Sequence, residues 1–421
     1  MVAISTFAAG CGTRPAPQPG AVPEIRGVAA VEPRVSPKPY AAADLAFGLD
    51  ALGAWCRRDP AGNIVLSPSS LASGLGMAYL GAAGTTAQAM ARVLHLPASG
   101  SVEAGLQARS AALSRLTGPG VTVASADRVW ADPTLLPRRS YLNAVATGYG
   151  AGVGRVPLLT DPARAARQID SAIAAATRGH ITRLVSAQAA QSAIFLLTDA
   201  LYLKARWASP FVPGQTTTGQ FVNAAGHRVQ AHYLNSSEMT SASDDGWTAV
   251  SLPYQGGKLS MTALLPPAPS AAGTGSAGSG GPAGGCPDLS TTTLATLTRM
   301  LGSPRAGVDP LALPEVSLRT KANLTGLLTR LGMGAAFSGG ADFSRMSAQA
   351  GSLGEVEHVA TLRVDAQGTV ASAATAVVVL PTAARVTGPP VVFNRPFLLL
   401  VSATGSGEPL LLARVANPDA P

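Results

Sequence analysis

The chain of 421 residues is 47% hydrophobic and 13% charged, material for one large mixed domain or two average ones. No apolar stretch reaches the roughly eighteen residues of a membrane span. The excess of 31 basic over 23 acidic residues, +8 in all, contains no dense Lys/Arg run interleaved with aromatics, which argues against a nucleic-acid partner.

In chain order, Ala8-Ala9-Gly10-Cys11 is similar to the lipobox of bacterial lipoproteins, in which the cysteine becomes the acylated N-terminus. Residues 1–11 therefore read as a signal remnant, and the chain is expected outside the cell or at its surface, touching membrane only through a lipid on Cys11. Residues 12–40 hold seven prolines and no apolar period and read as a disordered tether, with the folded domain spanning 41–421. Asp44 reads as the cap of a helix running to Arg58, with Leu45, Leu49, Leu52 and Trp55 on one face. A second helix starts near Ser67-Pro68, where proline suits the first turn and Ser67 and Ser70 suit capping.

Residues 85–96, 102–116 and 161–178 also read as helices. Arg155, Arg164, Arg167, Arg178 and Arg183 recur along the last of these regions, more in keeping with a solvated helix surface than with a polyanion patch. Strands are expected at 121–131, 193–204, 247–265, 357–364 and 391–401, so helices dominate the first half and strands the second. That order favours an α+β single domain over alternating βα units. From about 266 to 287 the composition collapses to Ala, Gly, Ser and Pro, a flexible insertion. Cys56 and Cys286 could pair outside the cell, but sequence leaves open whether they meet.

An enzyme finds little support. His95, His180, His227, His232 and His358 show no zinc spacing, and there is no Gly-x-Ser-x-Gly elbow, phosphate-binding Gly-x-x-x-x-Gly-Lys or dinucleotide fingerprint. No metal or other cofactor is indicated.

The segment from Gly368 to Arg385 is unusual for a surface loop. It begins with small residues, turns β-branched, and carries no charge or large side chain before Arg385. As a strand it would place Thr369, Ala371, Ala373 and Thr375 on one face and Val370, Ser372, Ala374 and Ala376 on the other. Both faces suit the middle of a sheet, yet Gly368, Pro381 and Gly388-Pro389-Pro390 punctuate it like a loop.

Gly368-Thr-Val-Ala-Ser-Ala-Ala-Thr375 followed by Phe393-Asn-Arg-Pro-Phe397 resembles the hinge and downstream strand of a serpin. Further similar words occur in the family's order: Asn63-Ile-Val-Leu-Ser-Pro-Ser-Ser70, Leu80-Gly-Ala-Ala-Gly-Thr85, Leu197-Thr-Asp-Ala-Leu-Tyr-Leu-Lys-Ala-Arg-Trp207, Leu313-Pro-Glu-Val316, Ala341-Asp-Phe-Ser344, His358 and Arg414-Val-Ala-Asn-Pro418. The resemblance implies a serpin-like single domain: helices around a large central mixed β-sheet, further sheets, and an exposed reactive-centre loop over about 366–392. It also implies a monomeric suicide inhibitor of extracellular serine proteases, with cysteine proteases as a second target class, rather than an enzyme. The alternatives are a non-inhibitory serpin acting as a binding or surface protein, and a ligand-binding surface lipoprotein.

By the same resemblance Ser67, Ser70, Asp199 and His358 form the polar cluster beneath the point where the central sheet parts. Asp199 stands where the family usually has asparagine, and a buried carboxylate there needs a partner such as His358, which would make sheet opening pH-dependent. Trp207 corresponds to the tryptophan at the top of the sheet. The small residues Thr369, Ala371, Ala373 and Thr375 face inward in the serpin register and favour inhibition. Counted forward from Gly368, the scissile bond falls at Thr382-Ala383, suited to elastase- or subtilisin-like proteases. Counted back from Phe393 it falls at Arg385-Val386, suited to trypsin-like ones. The hinge-side count is preferred because the hinge sets the inserted length.

Overall fold

In the computed structural model the described residues are 22–191, 194–212, 214–268, 285–303, 307–369 and 389–420. A short strand β1 (Glu24–Ile25) and a long helix α1 (Lys38–Arg58) are followed by β2 (Ile64–Leu66), α2 (Pro68–Gly81), α3 (Gly84–Val93) and α4 (Val102–Ser114). Next come β3 (Val121–Ser125), β4 (Arg128–Ala131), α5 (Arg139–Tyr149), β5 (Val153–Arg155), α6 (Pro162–Ala176) and α7 (Ala187–Gln191). Longer strands follow: β6 (Phe195–Arg206), β7 (Thr217–Val222), β8 (Arg228–Asp244), β9 (Trp247–Pro253) and β10 (Leu259–Leu265). The remainder comprises α8 (Thr291–Leu301), β11 (Gly307–Pro314), β12 (Val316–Asn323), α9 (Thr325–Leu328), α10 (Gly334–Phe337), β13 (Val356–Asp365), β14 (Gly368–Thr369), β15 (Val391–Val392), β16 (Phe397–Ala403) and β17 (Pro409–Val415).

Two sheets organise these strands. The first runs β1-β5-β4-β6-β14-β13-β12, with β3 also paired to β6; the second runs β15-β11-β8-β9-β10-β16-β17-β2, with β7 on β8. Helix α2 packs against both, touching β6 of the first and β17 of the second. Its sequence explains why: nearly every residue from Pro68 to Gly81 is small or apolar and almost all are buried, and a helix apolar all round belongs in a core. Gly48 of α1 lets the two helices cross closely, since a Cβ there would lie 2.5 Å from the Pro68 ring.

Several expectations need correcting. Helix α1 starts at Lys38, with Pro39 in the first turn; Asp44 is not its cap but a buried side chain inside it. The strand expected over 121–131 is two strands broken at Ala126-Asp127, and 247–265 is a hairpin turning at Tyr254–Lys258. The strand expected over 391–401 is interrupted before Phe397, where Pro396 has no N–H to give a ladder.

Residues 22–36, expected to be part of a free tether, are laid against the domain. Glu24 and Ile25 pair with β5, and the N–H groups of Val28, Ala30 and Glu32 donate to Asn143, Thr147 and Gln107 side chains. Gly27 makes this possible, because a Cβ there would meet the α5 backbone at 2.2 Å. Cys56 and Cys286 form a disulfide, so α1 is tied to the end of the 266–287 insertion. Most of that insertion, the hinge beyond Thr369, both scissile-bond candidates and Cys11 lie outside the described residues.

Candidate functional site

The two central strands of the first sheet are joined in two different ways along their length. In the lower part β6 and β13 pair directly in parallel, Leu197–Leu201 against Val356–Ala360. At the top β14 lies between them, antiparallel to both: Gly368 opposite Arg206 and Asp365, Thr369 opposite Ala205 and Val364. Gly368 is required here. Its φ of +152° and a would-be Cβ 2.1 Å from the Ala205 carbonyl oxygen leave room for no side chain.

Trp207 closes the upper site. Its indole N–H donates to the Asp365 carbonyl at 2.9 Å, its backbone N–H donates to the Gln367 carbonyl at 3.1 Å, and its ring stacks on Tyr254 with centroids 4.6 Å apart. The Tyr254 hydroxyl is 2.5 Å from that of Thr369, and both residues are buried. Thr369 thus points inward, over the same apolar cluster as Ala205 and Val364.

Lower down, the strand pair carries two ionisable residues face to face. His358 Nδ1 lies 2.6 Å from Asp199 Oδ1, both essentially inaccessible. Beneath them is the start of α2, where Ser67 accepts a hydrogen bond from the Ser70 N–H at 3.3 Å, an N-cap. The hydroxyl of Ser70 donates to Asp127, a residue that sequence reasoning missed. Asp127 sits in the break between β3 and β4, opposite Asp199 and Ala200 of β6. Burial, then the charge of Asp199, pushes its carboxyl well above the usual range, while the hydrogen bond from Ser70 and the Arg109 charge act the other way.

The sequence-predicted set is therefore brought together as two pairs, Ser67 with Ser70 and Asp199 with His358, with Asp127 between them. The only hint of Asp127 in the sequence was a charge that follows the uncharged run Val121 to Ala126 in the middle of the expected strand. Arg109 was also missed. Fully buried, it donates to Asp44 Oδ2 at 2.5 Å, Glu408 Oε1 at 3.0 Å and Ser73 Oγ at 3.0 Å, and to the Ser69 carbonyl. One guanidinium thus ties α4 to α1, α2 and the β16–β17 turn. Among the described residues no three His, Cys, Asp or Glu side chains cluster as metal ligands.

Comparison with known proteins gives a consistent result. The profile of the serpin (serine protease inhibitor) family matches residues 42–418. Serpin-Z1B of Triticum aestivum is 30% identical over 386 residues, covering 86% of this chain and 91% of its own length. Leukocyte elastase inhibitor of Bos taurus is 28% identical over 382 residues, covering 90% and 99%. In fold, the chain resembles the native state of tengpin, a thermophilic serpin, with TM-score 0.75 at 21% identity, covering 93% of this chain and 97% of that one.

Proposed function

The chain belongs to the serpin family, and on that premise we propose that it irreversibly inhibits extracellular serine proteases by inserting the N-terminal arm of its cleaved 366–392 loop between β6 and β13. The observation that carries this reading is β14. Two residues of the loop's N-terminal arm already occupy the position of a new strand, paired on both sides. Continuing that antiparallel register sets Ala371 opposite Leu203 and Leu362, Ala373 opposite Leu201 and Ala360, and Thr375 opposite Asp199 and His358. The inward face of the entering strand is then Thr369, Ala371, Ala373 and Thr375, all small enough to pass over the apolar cluster beneath.

Insertion must separate the strand pairing from Leu197–Leu201 to Val356–Ala360 and with it the Asp199–His358 contact. The incoming Thr375 hydroxyl meets both groups in this register and replaces the lost hydrogen bond. Two new ladders replace one, and that gain drives the change once cleavage frees the loop. While the loop is intact its two ends are tethered at Thr369 and Val391, and the gain is withheld.

The register also reaches the far end of β6: Phe195 falls opposite Val379, just before Thr382. This supports Thr382-Ala383 as the scissile bond and an elastase- or subtilisin-like target; Arg385-Val386 would mark a trypsin-like one. The same reading has a monomer on the outside of the cell, held through a lipid on Cys11, and the Cys56–Cys286 disulfide suits that compartment.

Incubation with pancreatic elastase and with trypsin, followed by mass analysis of the released C-terminal peptide, tests the assignment. A fragment beginning at Ala383 together with stoichiometric loss of elastase activity is expected. A fragment beginning at Val386 with loss of trypsin activity would move the target class, and catalytic turnover by both enzymes would remove the inhibitory reading.

A further inference from the structure

We propose that the cleft between α2, α4, β3 and β6 is a binding site for a small organic ammonium ion: a primary amine carried on a single ring or a short chain. The cleft has a volume of about 230 Å³. A cavity of about 150 Å³ accommodates benzene, so this one takes a ring with two or three further atoms. Met77, Leu113, Val123 and Leu201 form its apolar wall, and serine hydroxyls and the Asp127 carboxyl supply its polar side.

Asp127 sets the ligand's charge. Its carboxyl accepts from the hydroxyls of Ser70 and Ser125, and among the described residues no cation stands within ion-pair distance of it. Arg109 is near enough to be felt, but its N–H groups are turned to Asp44, Glu408, Ser73 and the Ser69 carbonyl. An anion would meet Asp127 with Asp199 behind it. A metal ion would find a single carboxylate and no further ligands of its kind, whereas an ammonium group finds one carboxylate and a surround of hydroxyl acceptors.

The groups facing Asp127 are Asp199 on β6, backed by His358 on β13; Arg109 on α4, backed by Asp44 and Glu408; Tyr149 on α5; Ser70 on α2; and Ser125 on β3. Burial and the Asp199 charge favour the protonated form of Asp127. An ammonium ion in the cleft favours the carboxylate, so binding expels a proton and tightens as pH rises. Occupancy also has a mechanical consequence, which rests on the inhibitory reading. β3 and β4 are bonded to β6 and must move with it when it leaves β13, while α2 forms the opposite wall. A ligand bridging the walls slows that motion.

The test uses the full chain, calorimetric titration and thermal denaturation, with 2-phenylethylamine as probe and its neutral isostere 2-phenylethanol as control. We expect 1:1 binding of the amine, at least about tenfold tighter than the alcohol once the pH is high enough for Asp127 to ionise, with affinity rising as pH rises. Asp127→Asn should cut amine binding about tenfold or more and erase the preference over the alcohol. Leu113→Trp, which fills the apolar wall without touching Asp127, should weaken both compounds. Equal binding of amine and alcohol, an affinity flat in pH, or amine binding unchanged in Leu113→Trp would each overturn the proposal, even if Asp127→Asn does not fold. Protease inhibition is measured separately: amine binding without inhibition sinks the inhibitory reading alone, and inhibition without amine binding sinks the site alone.

Discussion

His358 and Asp199 are direct partners in the parallel register of β13 and β6, and their side chains meet at 2.6 Å in the interior. The contact therefore fastens together the two strands that must part for a loop to enter. Removing one member of such a buried pair costs about 3–5 kcal/mol, whereas a substitution that keeps a hydrogen-bond partner costs less. Asp199→Ala should therefore lower the denaturation midpoint steeply and quicken spontaneous loop insertion, and Asp199→Asn should do both more weakly. Equal midpoints for the two variants would show that the pair does not hold the strands.

Gly368 is where a side chain is least tolerable in the hinge, given the 2.1 Å approach of a Cβ to the Ala205 carbonyl. Gly368→Val should expel β14 and impose about 1–3 kcal/mol of strain on the entering strand. Expressed as a rate, that is about fivefold to 150-fold slower insertion. The variant should then be cleaved as a substrate, with more inhibitor consumed per protease inactivated. An unchanged stoichiometry would mean that the hinge enters by another path.

Glu357, beside Asn323 on the neighbouring strand, carries a pH dependence of its own. Burial first, then the neighbouring Glu355, pushes its carboxyl up to about 7, with Lys321 and Asn323 opposing. The folded state thus holds the proton more tightly than the unfolded chain, so this stabilisation is present below about pH 4.5 to 5 and is lost as pH rises through about 7. Between about pH 5 and about pH 8 the group should cost on the order of 2 kcal/mol. Glu357→Gln should raise the denaturation midpoint near pH 8 and flatten its decline with pH; an undiminished decline would place the titration elsewhere.

The Cys56–Cys286 disulfide closes a loop of 230 residues in sequence separation. Its loss should cost about 2–5 kcal/mol, chiefly by freeing the unfolded chain. Cys56→Ser with Cys286→Ser, compared with the parent under reducing and non-reducing conditions, should show a lower midpoint that reductant no longer changes.

What was legible in the sequence follows the range of the interactions involved. The α2 start at Ser67-Pro68 is local chemistry and could be read directly. Asp199 and His358, 159 residues apart, meet only because of the sheet register, and resemblance alone singled them out. Asp127 was hidden because its role arises from an interruption between two strands that the alternation of residues presented as one. Asp44 looked like a cap because its partner, Arg109, is supplied by a different helix 65 residues away. The strap at 22–36 looked disordered because it has no apolar period of its own. Its order comes from side chains of α4 and α5 that receive its N–H groups.

The central claim is that a cleaved loop enters between β6 and β13 fast enough to trap the protease that cut it. Denaturing electrophoresis of the protein mixed with an elastase-like protease tests this most directly. The account predicts an SDS-stable covalent complex of inhibitor and protease, and a rise in the thermal midpoint of the cleaved chain. Cleavage by every protease tried, with no such complex and no rise in midpoint, would contradict it.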